Sequence, residues 1–292
     1  PVLASPFLAG TLIANQTVCQ WWRTGAPLLH TQRWSIGLKF TALFGAFALA
    51  CAASSHAETP AGGDAHVLTN DPLARAIANG QSLSSFRLRD ELVQQGGKSL
   101  DAQAVTLRTL LGWQTAPLHG LSVGAQWINV AVLNNDYDNG RNGTTQTGKA
   151  SYPRVVDPDY SGVNQLYLDW TGLTNTRARL GRQSVKLDNV RFIGNVEFRQ
   201  VMQVFDGVSV ENRNLLPNTT LYAAHFDQVT QVSTLKQDTD INIVNARHAL
   251  SPTENLVGYG YFVGWDRASL QATSSRTLGV RLDGARPPAP DW

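Results

Sequence analysis

The chain is poor in sulfur-containing residues and in long apolar runs. Cysteine occurs twice and methionine once in 292 residues. Cys19 and Cys51 both precede the cleavage site predicted below, which leaves the mature part without a disulfide, a thiol nucleophile or a cysteine-bound metal. After residue 58 no stretch approaches the ~20 apolar residues that a membrane-spanning helix needs, so helical insertion is excluded for that part.

An excess of one charge is also lacking. Lys and Arg number 24, Asp and Glu number 22, and the mean hydropathy is −0.18. No basic cluster accompanies this balance, so we predict no nucleic-acid partner. The histidines after residue 58 lie on separate predicted elements, and HExxH, GxGxxG and P-loop patterns are absent. We therefore predict no enzyme activity and no cofactor.

One polar segment has the composition of a calcium-binding loop. It runs from Asn134 to Gly143, NNDYDNGRNG. Its glycine stands one place later than in an EF-hand, and Thr145 occupies the position of the final glutamate. We interpret the segment as a polar loop and predict no metal site, with a weak cation site as the alternative.

The N-terminal part carries the features of a signal peptide. Lys39 precedes the apolar run Phe40 to Ala53, and Ser55-His56-Ala57 follows with small residues at −3 and −1. We predict a signal peptide over residues 38–57, cleaved after Ala57, with a short buried helix as the alternative. Because the first residue is Pro, residues 1–37 are interpreted as a mis-called upstream extension. Residues 58–83 would form a periplasmic N-terminal segment with a weak helix near Pro72 to Ala78.

From residue 84 onward the sequence alternates with a period of two, which is typical of half-exposed antiparallel strands. Apolar residues alternate with polar ones in Gln165 to Trp170, and Arg177 and Arg179 alternate with Ala178 and Leu180. Ten strands are predicted: Ser85–Val93, Ala104–Trp113, Leu121–Val130, Gln165–Trp170, Arg177–Gln183, Phe205–Asn212, Thr219–Phe226, Asp240–His248, Leu256–Trp265 and Thr277–Gly284.

Two architectures fit these strands. In a soluble sandwich the apolar faces form a core, whereas in a transmembrane barrel they face lipid and the arginines face an aqueous lumen. Connections after every second strand are short and centre on Pro117, Gly172, Pro217, Pro252 and Pro287. The others are longer, above all residues 131–162 and 185–204. Short turns at one end and long loops at the other favour an all-β, antiparallel transmembrane barrel.

Aromatic residues give a second indication. They occur mostly near strand ends on the apolar face, at Trp113, Trp127, Trp170, Tyr259, Tyr261 and Trp265. Indole and phenol rings favour the membrane–water interface, so we predict an aromatic girdle. Ordinary core packing is the alternative for any one of them.

Three segments carry a resemblance to a known family. They are NQLYLDWTGL, RARLGRQSVKLDNVRFIGNVEFRQ and QVFDGVSV, within Asn164 to Val210. Their order of Tyr-x-Asp, Gly-Arg-Gln, Asp-Asn-x-Arg-Phe and Phe-Asp-Gly resembles the alginate-export family of bacterial outer-membrane porins. The resemblance implies a barrel in the outer membrane. It also implies that the long segment Lys186 to Gln203 reaches inward at a constriction, with Arg191, Glu197 and Arg199 as candidate residues.

The arginines of the polar face are the main candidates for function. Alternation assigns this face to Arg87, Arg89, Arg108, Arg177, Arg179 and Arg281. A guanidinium group is permanently charged and binds one carboxylate through two parallel hydrogen bonds. A ring of such groups would therefore favour anions. The alternative is that about half of them pair with wall carboxylates such as Asp169 and Asp206.

We predict a passive porin for anionic sugars, uronate oligomers or other small anions, embedded in outer-membrane lipid, with periplasmic export partners as a further candidate interaction. The alternatives are a secreted carbohydrate-binding sandwich and a structural or adhesive barrel.

Pro287, Pro288 and Pro290 prevent the tail from closing the sheet. Residues 84–292 are therefore expected to form an incomplete barrel.

Overall fold

A computed structural model describes residues 71–284. The predicted upstream extension, the signal peptide, residues 58–70 and the proline-rich tail lie outside this range. Helix α1 spans Pro72–Ala78, as predicted, and 3-10 turns occur at Arg141–Gly143 and Gln271–Thr273. The strands are β1 (Gln81–Ser82), β2 (Ser85–Val93), β3 (Ala102–Gln114), β4 (Leu121–Asp136), β5 (Tyr160–Trp170), β6 (Thr176–Gln183), β7 (Val204–Arg213), β8 (Thr219–Thr230), β9 (Lys236–Ala249), β10 (Glu254–Trp265) and β11 (Ser275–Gly284).

The strands form one antiparallel sheet in sequence order. Each strand from β3 to β10 pairs with the one that follows it, and β1 and β2 pair with successive parts of β3. All ten predicted strands are confirmed, with β9 starting four residues earlier than expected. The sheet begins at Gln81 rather than at residue 84, because β1 continues the edge of β2. Within residues 71–284, β2 and β11 do not pair with each other, so the sheet is open.

The two faces of the sheet have inverted polarity. The outer face exposes large apolar side chains: Phe86, Leu88, Leu111, Val123, Leu166, Leu168, Leu180, Val210, Val244, Leu278 and Val280. The inner face buries polar ones: Thr106, Arg108, Ser122, Gln126, Asn164, Asp169, Gln183, Ser209, Thr239 and Asn245. Water would favour the opposite arrangement, since exposed apolar surface costs about 25 cal/mol per Å². The inversion is that of an outer-membrane barrel wall, and the sandwich alternative is rejected.

The connections follow the predicted parity with one exception. Residues 115–120, 171–175, 214–218 and 250–253 form short connections at one end. Residues 137–159 and 184–203 form the longest ones at the other end. Residues 231–235 also belong to this second end but form a short turn, so the expectation of a long loop after every alternate strand was wrong there. No helix within residues 71–284 has the length and apolarity needed to cross a membrane.

The predicted aromatic girdle is only partly correct. Trp113, Trp127 and Trp170 are exposed on the outer face. Tyr261 and Trp265, by contrast, are buried on the inner face, where they pack with the apolar cluster described below. Alternation correctly placed these two residues on one face of β10. It could not show that this face points inward, because the inner face of β10 is itself apolar.

Candidate lumen and its inward segment

The inner face carries two apolar patches, and segment 184–203 packs on both. The first patch consists of Leu110, Ile128 and Val130 on β3 and β4. Val201 and Met202 of the segment cover it. These residues interrupt the otherwise polar inner face, so they mark where the segment rests.

The second patch lies on β7 to β10. Phe205, Phe226, Ile241, Ile243, Tyr261 and Trp265 form a cluster with Val185 and Ile193 of the segment. Phe192 adds tilted ring contacts to Tyr259 and Tyr261, with centroids 5.5 and 5.9 Å apart. The segment therefore crosses the inner side of the sheet and is held by apolar packing at both ends. The inward position implied by the family resemblance is observed.

Polar contacts hold the end of the segment that lies over β2 and β3. Arg87 donates from Nε to Gln200 Oε1 at 2.8 Å and from Nη1 to the Glu197 carbonyl at 2.8 Å. The Gln200 amide in turn donates to Thr106 Oγ1 at 2.8 Å. Arg87 is thus a positioning contact for the segment, with its nitrogen atoms already hydrogen-bonded.

A buried carboxylate joins the two long loops. Asp157, in loop 137–159, accepts a hydrogen bond from the backbone N–H of Gln200 at 2.8 Å. Its Oδ2 lies 3.7 Å from Arg89 Nη1 and 3.9 Å from Arg199 Nη1, while Glu91 contacts both arginines. Burial raises the pKa of Asp157, and the hydrogen bond from Gln200 and the two arginines oppose that rise.

Arg108 has a different environment. It is buried directly opposite Arg87 in the β2–β3 register, and its Nε and Nη1 have no hydrogen-bond partner within the described residues. Like charges at opposed strand positions repel, so this pair leaves uncompensated positive charge. Near Arg108, the guanidinium groups of Arg87, Arg89 and Arg199 face the carboxylates of Glu91 and Asp157.

Arg179 is part of the wall. Its Nε and Nη2 bind Asp169 at 2.6 and 2.7 Å, and its guanidinium carbon lies 3.6 Å from the centre of the Tyr167 ring. Gln114 accepts from the Tyr167 hydroxyl at 3.1 Å and donates to Asp169 at 3.4 Å. This closed set satisfies both charges, so for Arg179 and Asp169 the structure agrees with the wall-pairing alternative.

Arg177 is less constrained. Its nearest carboxylate, Glu211, is 3.7 Å away and also accepts from Arg213 at 2.8 Å. The Arg177 side chain is 43% exposed. Arg191, on the inward segment, is exposed and has no ion pair in the described part of the chain, with only a loose contact to Phe192 at 5.8 Å. These two arginines are the accessible cations among the predicted residues.

Arg281 belongs to a hub at the other end of the segment. Asp188 accepts from Asn245 at 2.8 Å, from Tyr261 at 3.1 Å and from Arg247 at 3.0 Å, with Arg281 3.6 Å away. Asp283 completes the set through Arg247 and Arg281. The hub ties the segment to β9, β10 and β11.

Glu197 lies beside the inner cation cluster, where the charges of Arg108 and Arg87 also act on its carboxylate. It forms an ion pair with Lys186 of the same segment, and this hydrogen bond lowers the pKa of Glu197. Both side chains are about half exposed. The pair is neutral overall and lies at the surface of the segment.

Among the residues of the family motifs, sequence reasoning named Asp206 as a wall carboxylate and missed Arg182, Gly181 and Gly207. Arg182 and Asp206, from the Gly-Arg-Gln and Phe-Asp-Gly motifs, form a two-pronged pair at 2.8 and 2.7 Å across β6 and β7. Gly181 and Gly207 lie opposite each other with φ of 118° and 153°. A Cβ at Gly207 would meet the His225 carbonyl oxygen, so a side chain is excluded there. The only signal in the sequence that could have identified these residues is their position within the family motifs.

The calcium-like segment forms a closed turn. Asp138 Oδ1 accepts from the amides of Gly140 and Gln146 at 3.2 and 2.9 Å, and Oδ2 accepts from Arg154 at 2.8 Å. Burial would raise the pKa of Asp138, but these hydrogen bonds together lower it. Its oxygens are therefore committed to the loop itself.

Comparisons with known proteins agree with this geometry. A family model described as alginate export matches residues 107–284, more than half of the chain. No curated protein sequence matches. Solved structures that resemble the chain include Pseudomonas aeruginosa OccK9 (16% identity, TM-score 0.47, 64% of this chain and 51% of that one) and a BenF-like porin from Pseudomonas fluorescens Pf-5 (14%, 0.45, 64% and 51%).

A third is Pseudomonas aeruginosa OpdK with vanillate (14% identity, TM-score 0.49, 70% of this chain and 62% of that one). The chain spans about half the length of the first two porins. The extent of the family match, together with the inverted sheet and the inward segment, leads to one conclusion: the chain belongs to the alginate-export family of outer-membrane proteins.

Proposed function

We propose that the protein is a passive outer-membrane channel with a preference for small anions, including anionic sugars and uronate oligomers. The observation that carries this proposal is the excess of positive charge on the inner face. Near β2 and β3, four guanidinium groups and Lys186 outnumber the carboxylates of Glu91, Asp157 and Glu197, and Arg108 retains donors with no partner in residues 71–284. In a narrow, water-filled passage such an excess raises the local anion concentration and repels cations.

The accessible part of the path is assigned to Arg177 and Arg191. Arg87, Arg89, Arg179, Arg199 and Arg281 hold the wall or the inward segment. Arg177 and Arg191 have side chains free to meet a passing solute, and a guanidinium binds a carboxylate through two parallel hydrogen bonds. We propose no bound cofactor and no chemical step, in keeping with a channel rather than an enzyme.

Liposome swelling tests the proposal. Protein extracted from outer membranes is reconstituted into liposomes that also contain gramicidin, which lets Na⁺ follow the anion so that entry stays electroneutral. The liposomes are then diluted into isosmotic glucose or sodium glucuronate. The two solutes have nearly the same size, so faster swelling in glucuronate is expected from the charge of the lumen. Equal rates, or faster entry of glucose, would contradict anion preference. Absence of swelling with either solute would favour the structural or adhesive barrel.

A further inference from the structure

Helix α1 docks at the short-connection end of the sheet, next to its outer face. The indole Nε1 of Trp113 donates to the carbonyl of Ile77 at 2.9 Å, and the amide of Ala116 donates to the carbonyl of Ala76 at 2.8 Å. These two bonds satisfy carbonyls that a helix C-terminus otherwise leaves unpaired. Trp113 belongs to the outer, apolar face, and Ala116 lies in the short connection 115–120.

The helix carries two large apolar side chains that are exposed. Leu73 and Ile77 are more than half exposed, whereas Ala76 is buried. They are one helical turn apart and therefore share a face, while Arg75 projects from the opposite side. Exposing two such residues on a seven-residue helix is unfavourable in water.

The position of the helix identifies what covers this face. Short connections of an outer-membrane barrel lie on the periplasmic side, and the exposed Trp113 is of the kind that lies at the membrane–water interface. The helix is attached to the lipid-facing surface at Ile77 through the hydrogen bond from Trp113, and Leu73 lies one turn from Ile77 on the same helix face. A short helix with an apolar side and a basic residue on the other is suited to lie in the plane of an interface.

We propose that α1 is an interfacial helix that inserts Leu73 and Ile77 among the phospholipids of the inner leaflet of the outer membrane, with Arg75 facing the periplasm. This inference rests on the outer-membrane location and is independent of what the channel transports. It assigns part of the expected periplasmic segment, residues 58–83, to the membrane surface.

Depth-dependent quenching tests this assignment. In a Cys19→Ser/Cys51→Ser background, Leu73→Cys, Ile77→Cys and Arg75→Cys are each labelled with an environment-sensitive NBD fluorophore. The labelled proteins are extracted from outer membranes and reconstituted into vesicles of phosphatidylethanolamine and phosphatidylglycerol that contain phospholipid with a doxyl group at acyl carbon 5. Labels at 73 and 77 should lose most of their fluorescence, and the matched label at 75 should keep most of it.

Leu121→Cys, an exposed outer-face position at the start of β4, serves as the positive control for barrel insertion. If the label at 121 is quenched while those at 73 and 77 are quenched no more than that at 75, the proposal is wrong. The helix would then be covered by protein or water. Transport measurements do not enter this outcome, so it is separable from failure of the channel proposal.

Discussion

At the scale of single residues, the inner-face arginines divide by what their nitrogen atoms already bind. Arg179 makes two hydrogen bonds to Asp169 and stacks on Tyr167. Arg177 reaches Glu211 only at 3.7 Å and shares it with Arg213. A fully bonded guanidinium supports the wall, whereas a loosely held one is available to solutes. Sequence alternation placed both on one face and could not separate them.

This division predicts different outcomes for two serine variants. Arg177→Ser should lower the anion-to-cation permeability ratio and change the free energy of unfolding by less than about 1 kcal/mol, since exposed ion pairs contribute little. Arg179→Ser leaves Asp169 buried without its partner and should cost about 3 kcal/mol. Urea unfolding in detergent and bilayer recordings give the two quantities.

Arg141→Ser provides the charge-matched control, because Arg141 and Asp159 form an exposed ion pair in loop 137–159. Its removal should leave both the ratio and the unfolding free energy unchanged. If Arg177→Ser behaves like Arg141→Ser, the assignment of Arg177 to the solute path is wrong.

At the scale of elements, segment 184–203 is the part that crosses the inner side of the sheet. Val201 and Met202 secure one end on β3 and β4, and the Asp188 hub secures the other on β9 to β11. The hub is polar, whereas the other end combines apolar packing with the hydrogen bonds of Gln200 and Arg87. Losing the hub should therefore release one end of the segment while the sheet persists.

Asp188→Ala should increase single-channel conductance and make the segment more sensitive to protease. Arg247 and Arg281 keep Asp283 as a partner, so we expect a loss of stability of about 1–3 kcal/mol for the broken hydrogen bonds. Asp159→Ala, which breaks only an exposed pair, is the control and should leave conductance unchanged. An Asp188→Ala channel with wild-type conductance would show that packing alone fixes the segment.

Sequence reasoning located the elements better than it located their contacts. Strand positions and α1 follow from local alternation and composition, which the chain carries in consecutive residues. The hub joins Asp188 to Tyr261 and Arg247 far along the chain, and no local pattern encodes such a meeting. The sequence also did not show that Tyr261 points inward. An apolar residue is expected on the lipid-facing side, and Tyr261 lies on the inner face only because segment 184–203 packs over it.

At the scale of the whole molecule, the decisive property is that the outer face is apolar and the inner face polar. This predicts a depth-dependent cost for charge on the outer face. Leu180→Arg, on β6 with a 59% exposed side chain, should destabilise the protein in phospholipid vesicles by about 2–4 kcal/mol. Leu215→Arg, at a leucine that is 69% exposed in short connection 214–218, should change stability by less than about 0.5 kcal/mol. Equal effects at the two sites would mean that β6 does not face lipid.

The unpaired edges of β2 and β11 are also a property of the whole molecule. Unpaired backbone groups in hydrocarbon cost several kcal/mol each, so both edges need a partner strand in the membrane. Residues 58–292 expressed alone and refolded in detergent micelles should therefore not give a protease-resistant, heat-modifiable species. Such a species would show that β2 and β11 pair to close a smaller barrel.

The most direct test of the anion-channel account is the reversal potential of single channels formed by protein extracted from outer membranes, recorded across a planar bilayer with a KCl gradient. The positive excess around Arg87, Arg89, Arg108 and Arg199 predicts a reversal potential with the sign set by chloride. It should move toward zero as salt concentration rises and the lumen charge is screened. A potential with the sign set by potassium, or a value of zero at low salt, would contradict the account.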